Sequence, residues 1–469
     1  MQVTKYLKGL GYDTVPGSFY RMISVWDTWY QNKVRKFHSY KIYNGNSYVN
    51  QQRYSLGMPK KVCEDIADLL MNEKVRITLS DDKTQDYVDK VFKINHAEVK
   101  LNEYQERKAY TGTVAYVPYI SDAEISENGD IVRGTGNIKI NYISASRIFP
   151  ISWENGYIHE CAFEFPKTIN GKGYAHIQIH KKNNLEYTIE NHIVECSSSA
   201  GTEVPCERWK DLKGFENLAP IVHTGSLNRQ FVIDKLNIAN NFSEDNPMGV
   251  ALFANCIDQM KGIDVVYDSY INEFVLGRKR IFVTPEMLGY SPDGSPAFDE
   301  NDIVFYRLPE EMKEGSNPVH EINMELRAEQ HYKALNDNLN LISSKCGFGT
   351  DRYKFENGQA KTATEVISEN SDMYRTLRKH EIPLEESLRE LIKIICKLGN
   401  VLGANVNEDA EITIDFDDSI IEDKTTERQQ DRQDLAAGIM RPEEYRAKWY
   451  AETEEEALKN LPQQAQIIE

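Results

Sequence analysis

Three carboxylates crowd the end of one strand-like run, "EITIDFDD": Asp415, Asp417 and Asp418. Convergent carboxylates can hold Mg²⁺ for phosphodiester cleavage, and strand alternation points Asp415 and Asp417 the same way. No partnering His, Lys or Glu-x-Lys signature accompanies them, so a solvated strand end is the simpler reading. "ENGQAKT" invites comparison with a phosphate cradle, which needs glycine directly before its lysine and another five residues earlier. Around Lys361 those places are held by Ala360 and Phe355. His176 and His180 lie in an alternating run, where a spacing of four separates them by about 13 Å along one strand face, too far to share a metal. "DENDIVF" lacks the glycine and closing glutamate of a calcium loop. No Gly-x-Ser-x-Gly is present. The expectation is a chain without a catalytic centre, a metal site or a cofactor.

Two charge patterns remain. Glu321, Glu325 and Glu329 recur at four-residue steps, and Asp264 and Asp268 repeat that spacing earlier in the chain. On helices these are like-charged stripes, each pair costing a few tenths of a kcal/mol, so packing elsewhere must hold the helices together. The stretch from Cys346 to Ala360, with its flanking lysines, is the opposite case. Lys345, Arg352, Lys354 and Lys361 outnumber Asp351 and Glu356, aromatic Phe348, Tyr353 and Phe355 are interleaved, and Gly347, Gly349 and Gly358 permit conformational change. Such a loop suits transient contact with a phosphate backbone.

The elements that carry these residues read as α+β. An aromatic helical pattern spans 17–40, an Asn-Gly turn follows in "YNGNSY", and "MPKKVCEDIADLLMNEK" places Val62, Ile66, Leu69 and Leu70 on one helical face. From about 110 to 225 the period shifts to two, in "TGTVAYVPYI", "NIKINYI", "ECAFEF", "YAHIQIH" and "EYTIENHIVEC", as antiparallel strands require. Phe253, Ile257, Met260, Ile263, Tyr267, Ile271 and Phe274 predict a helix over Val250 to Leu276, and Ala328, Tyr332, Leu335, Leu339 and Ile342 extend a second stripe from Met324. Between the two helices, "GRKRIFVTPEMLGYSPDGSPAFDENDIVFYRLP" reads as a small β insertion. A long helix after the loop contains Pro383, which predicts a bend near 379–383. Gly438 and Pro442 mark a corner between two C-terminal helices, and the acidic end of the chain reads as frayed.

Composition bounds the class. At 469 residues with 40% hydrophobic and 27% charged residues the chain is globular, with room for two to four compact units. Its seven cysteines, scattered with no C-x-x-C pair, indicate a reducing compartment. No stretch approaches the ~18 apolar residues of a membrane span. A formal charge of −18 argues against wrapping DNA on a broad basic face, yet a negative surface also lets a polyanion slide past without sticking.

The order of these parts resembles the portal proteins of tailed bacteriophages, of the type found in siphophages of Gram-positive hosts. "SVWDTWY", "YNGNSY" and "MPKKVCEDIADLLMNEKVRI" are similar to that family's N-terminal pattern, and "GFGTDRYKFENGQAKTATEVISENSDMYRTLRKHE" is the most specific match. The resemblance implies a wing over 1–240, a first stem helix within 241–277, a clip at 278–318 and a second stem helix at 319–344. It further implies a tunnel loop at 345–360, a kinked helix and wing strand at 361–420 and a crown at 421–469. Implied with them is a dodecameric ring at one capsid vertex, assembled in the host cytoplasm, through which double-stranded DNA is packaged and ejected. Terminase, a head-completion adaptor, and capsid and scaffolding proteins are the implied partners. Lys345, Phe348, Arg352, Tyr353, Lys354 and Lys361 would face DNA, and Glu321, Glu325, Glu329, Asp264 and Asp268 would line the channel. The alternatives are a metal-dependent nucleic-acid-processing enzyme built on Asp415 and Asp417, or another head-tail connector component.

Overall fold

The computed structural model describes residues 3–43, 46–71, 75–122, 132–183, 185–197, 201–277, 280–283, 305–307, 319–322, 325–355, 363–416, 424–450 and 453–461. Helices α1 (Val3–Gly9), α2 (Gly17–Tyr30) and α3 (Arg35–His38) lead into a hairpin of β1 (Ser39–Tyr43) and β2 (Tyr48–Gln52). Helix α4 (Met58–Leu70), strand β3 (Arg76–Leu79), and helices α5 (Asp82–Ile94) and α6 (Ala97–Thr111) follow. The spacing of Phe19, Ile23 and Trp26 on α2, and of Val62, Ile66 and Leu70 on α4, turns those side chains into one core, where each is at most 3% exposed.

The strand-rich stretch forms two sheets. In the larger, β6 (Ile148–Glu154), β7 (Tyr157–Ile169), β8 (Lys172–Lys182), β9 (Tyr187–Glu195) and β10 (Thr202–Glu203) run in that order, with β11 (Ile221–His223) also paired to β9. The smaller has the order β12 (Val232–Lys235), β4 (Thr113–Ser121), β5 (Asn137–Ser144). Strand β4 departs from alternation, since Thr113 through Pro118 are all buried. Helices α6 and α9 (Ala363–Val401) both pack on it, which explains why "TVAYVP" carries no polar face. Where α6 ends, Gly112 has φ +80° and its backbone meets that of Gly249, so closely that an added Cβ would lie 2.4 Å from the Gly249 carbonyl.

A polar knot ties this layer together. Lys108 Nζ donates to both oxygens of Asp234, at 2.9 and 3.1 Å, with both side chains fully buried. Tyr116 Oη and Gln105 Nε2 also donate to Asp234, at 3.0 and 2.8 Å. Burial lowers the Lys108 pKa while Asp234 opposes that shift. Removing either charge would strand the other in the core.

Helix α9 runs through Pro383. Proline cannot donate to the carbonyl four residues back. That carbonyl, Lys379 O, instead accepts 2.8 Å from Asn237 Nδ2, and Asn237 N–H donates to His380 Nδ1 at 3.2 Å. The sequence therefore tolerates the break by filling its orphan acceptor. Leu384, Leu388, Leu391, Ile392 and Ile395 beyond it are fully buried.

Helices α7 (Ile257–Leu276) and α8 (Ala328–Lys345) form an antiparallel pair carrying a three-stranded sheet, β14 (Phe305–Arg307), β13 (Arg280–Val283), β15 (Val319–Ile322). The expected first helix is shorter, because Ala254–Cys256 is a 3₁₀ turn. The expected second helix starts later: Val319–Ile322 is a strand, paired antiparallel to β13, with Glu321 opposite Ile281. The β-branched Val319 and Ile322 satisfy sheet pairing better than a helix, and the four-residue recurrence of acids is overridden. The chain closes with β16 (Ile412–Asp415), paired to β3, then α10 (Lys424–Ala436), α11 (Pro442–Tyr450) and α12 (Glu454–Lys459). Gly438, at φ +72°, makes the expected corner after α10. The expected fraying gives way at α12, where Thr453 and Glu456 cap each other's backbone.

Candidate functional site

The loop begins with a built helix end. Gly347, at φ +86°, follows the last residue of the α8 cap; its N–H donates to Ser344 O at 3.1 Å, and Phe348 N–H donates to Ser343 O at 3.0 Å. These two bonds are the Schellman arrangement, which needs a left-handed residue at this point. A Cβ on Gly347 would also meet Thr376 Oγ1 of α9 at 2.6 Å.

From there the aromatic side chains turn inward. Phe348 is 3% exposed and packs edge-on against Tyr353, ring centres 6.0 Å apart. Burial, followed by the nearby Asp65 carboxylate of α4, raises the Tyr353 pKa and keeps its phenol protonated. Both residues anchor the segment rather than reach out of it, contrary to their expected DNA-facing role. The composition of a loop does not say which of its faces meets the core. Phe355 is the exposed aromatic, with its N–H donating to Asn336 Oδ1 at 3.2 Å. Lys345 and Arg352 are exposed, whereas Lys354 is half-buried, with Nζ 3.9 Å from Asp351. Lys361 lies outside the described residues.

The expected acidic lining divides. Asp264 and Asp268 are 1% and 6% exposed and belong to an internal clamp. Asp264 Oδ1 accepts from Ser55 Oγ and Leu56 N–H, both at 2.9 Å, and its Oδ2 is 3.1 Å from His38 Nε2. Asp268 accepts from Tyr54 N–H at 3.0 Å and Tyr40 Oη at 3.2 Å, with Arg53 Nε at 4.0 Å. The pair thus fastens the base of the β1–β2 hairpin to α7. Spacing on a helix does not disclose this clamp, because the partners of both acids lie more than 200 residues away in sequence. Glu325, ahead of α8, and Glu329, in its first turn, are exposed. Glu321 sits on β15, where only its backbone is described.

Sequence reading missed the contact at the sheet-bearing end of α7 and α8. Arg327 Nε and Nη2 donate to Glu273 at 3.0 and 2.8 Å, and Arg327 N–H adds a third bond at 3.2 Å. These bonds bring the Glu273 pKa down to about 2. Nothing in the spacing of one arginine and one glutamate announces this pair.

Elsewhere, Asp415 is an exposed residue of β16 facing Arg76, and Asp417 and Asp418 lie outside the described residues. His176 and His180 share β8 but not a partner: His176 Nε2 bonds Asn191 Oδ1 at 2.8 Å, while burial drops the His180 pKa to about 3. Among the described residues no group of three His, Cys, Asp or Glu could hold a metal ion, and no helix is long and apolar enough to cross a membrane.

A family model described as phage portal protein, SPP1 Gp6-like, matches residues 18–469. No curated protein matches the chain. The match covers nearly the whole sequence, and the chain belongs to this portal family. Its function is that of a phage portal protein, a structural component of the phage particle, and the alternative readings are not favoured.

Proposed function

We propose that copies of this chain, about twelve by family analogy, close into a ring at one capsid vertex and form the conduit for packaged and ejected DNA. The family match over 18–469 carries this reading. On it, 1–240 with much of 361–420 is the wing, α7 and α8 are the stem, and 278–318, which includes β13 and β14, is the clip. The tunnel loop is 345–360 and the crown is 421–469. The clip meets terminase during packaging and a head-completion adaptor afterwards, while capsid and scaffolding proteins hold the outer rim. Assembly takes place in the host cytoplasm.

The DNA-facing charges under this proposal are narrower than the sequence implied. Glu325 and Glu329, both exposed, repeat around the bore with Glu321. Negative walls keep a polyanion from accumulating salt-dependent contacts. Lys345 and Arg352, both exposed, with Lys354 and Lys361, supply the few cations that brush the backbone. No step calls for covalent chemistry, so the ring acts as a passage and a platform, not an enzyme.

Solution mass and negative-stain images of the purified protein test the ring. An annulus open to a double helix is expected; a chain that stays monomeric under every assembly condition, or an annulus closed to duplex, overturns the proposal. Arg352→Glu is expected to reduce DNA packaging while leaving rings intact, and unchanged packaging removes the loop from the mechanism.

A further inference from the structure

Two buried thiols at the loop end of the α7–α8 pair have no part in the conduit. Cys256 immediately precedes α7 and Cys346 caps α8; they are 90 residues apart in sequence, yet their Sγ atoms stand 3.8 Å apart. Both are free, at 1% and 2% exposure. Cys346 donates its S–H to Cys256. That contact, helped by Lys345, lowers the Cys256 pKa against the effect of burial. The same contact, with burial, raises that of Cys346. The two sulfurs already share one S–H···S contact, the adjacency that an attacking and a resolving cysteine require.

We propose that Cys256 and Cys346 are a redox latch, which a hydroperoxide closes into an intrachain disulfide stapling the start of α7 to the end of α8. The Cys256 thiolate attacks one peroxide oxygen, the O–O bond breaks, and the departing alkoxide, or hydroxide when the oxidant is hydrogen peroxide, takes the proton that Cys256 gave up and leaves as an alcohol or water. Cys256 is left as a sulfenic acid. The Cys346 sulfur then attacks Cys256, the S–O bond breaks, the S–S bond forms, and the hydroxyl leaves as water with the Cys346 proton. Two thiols lose two electrons to the hydroperoxide, which ends as alcohol and water, or as water alone. The sulfurs must close from 3.8 Å to about 2 Å. The bond would fix the root of the 347–355 segment, which follows directly on Cys346 in the chain. This inference does not depend on what the loop touches.

Two other thiols make the test specific. Cys206 is exposed and reports that the oxidant is active. Cys63 of α4 is buried and near enough to Cys346 to add to the rise in its pKa, so it is the competing partner. The full chain is treated with hydrogen peroxide, alkylated, digested and mapped by mass spectrometry. The expected result is a Cys256–Cys346 linked peptide, loss of alkylation at both positions and recovery of both with dithiothreitol. Amide exchange at 348–355 is expected to slow in the oxidised form and to return on reduction. Oxidation of Cys206 with Cys256 and Cys346 still alkylated overturns the latch, as does a Cys63–Cys346 link in its place. Cys63→Ser is expected to keep the linked peptide. The wild-type map needs no variant, so a folding defect in Cys256→Ser would leave the test intact.

Discussion

The α7–α8 pair has two ends built to opposite rules. At the loop end, Phe253, Cys256, Met260, Ile263, Leu339, Ile342 and Cys346 are all at most 2% exposed. At the sheet-bearing end, Phe274, Val275, Leu276, Leu326 and Tyr332 are 40–63% exposed. The apolar stripe read from sequence runs through both without a change in period. What differs is the covering: α4, α9 and the rest of the main core enclose the loop end, whereas among the described residues the other end relies on the charged clasp of Glu273 and Arg327. One chain supplies a core for half of the helix pair, and apolar surface left in water at the other half is what a ring of neighbours would remove.

Matched substitutions break this comparison most sharply. Met260→Asp puts an unpaired carboxylate into a closed core and is expected to cost more than about 4 kcal/mol, seen as loss of folded protein in denaturant titration. Phe274→Asp is expected to change monomer stability by less than about 1 kcal/mol, yet to abolish rings by light scattering. Equal stability losses at both positions would erase the distinction between the ends.

Asp264 sharpens it from the polar side. Asp264→Ala leaves Leu56 N–H, Ser55 Oγ and His38 without their acceptor, and is expected to destabilise by about 3 kcal/mol. Amide exchange at Ser55 and Leu56 should rise with it. If Asp264 were a channel-lining charge, the same variant would leave the melting curve in place and change only packaging.

Part of this arrangement was legible beforehand. The periodicity of α2 and α4, the strands β4, β5 and β7 to β9, the Gly438 corner and the β module between two helices follow from spacing and turn chemistry, which are local. The glycine ending α8 was visible as a hinge, though its Schellman geometry was not. Burial of Asp264 and Asp268, the inward turn of Phe348 and Tyr353, and the Glu273–Arg327 clasp were illegible because each depends on a partner remote in the chain. The stripe Glu321, Glu325, Glu329 misled for a related reason: spacing alone cannot say that Val319–Ile322 has a strand to pair with.

A smaller effect is expected at the loop root. Gly347→Ala forces a side chain into left-handed backbone and against Thr376, and should cost about 1–2 kcal/mol. Thr376→Ala in the same chain should recover only the steric part, because the backbone strain remains. Full recovery in the double variant, by thermal melts, would mean that the conformation itself carries no strain.

The least costly break lies at the clasp, and it is a matter of pH. The bonds from Arg327 hold the Glu273 carboxyl down to about 2 in the folded chain, against an ordinary 4.5. Between those values the unfolded chain binds the proton and the folded chain does not, so stability falls as the solution is acidified through that window. Above pH 4.5 the contribution is fully present. Because the pair sits at the exposed end, solvent screening keeps it small. Arg327→Gln should move the Glu273 midpoint upward toward 4.5 in a carboxyl NMR titration and flatten the pH dependence of stability below that value. The closed end, whose Asp264–His38 contact is buried, should show no matching salt response: added salt is expected to loosen amide exchange around Arg327 and Ala328 while leaving Ile342 and Cys346 unchanged. Equal loosening at both ends would mean that charge, rather than burial, holds the whole α7–α8 pair together.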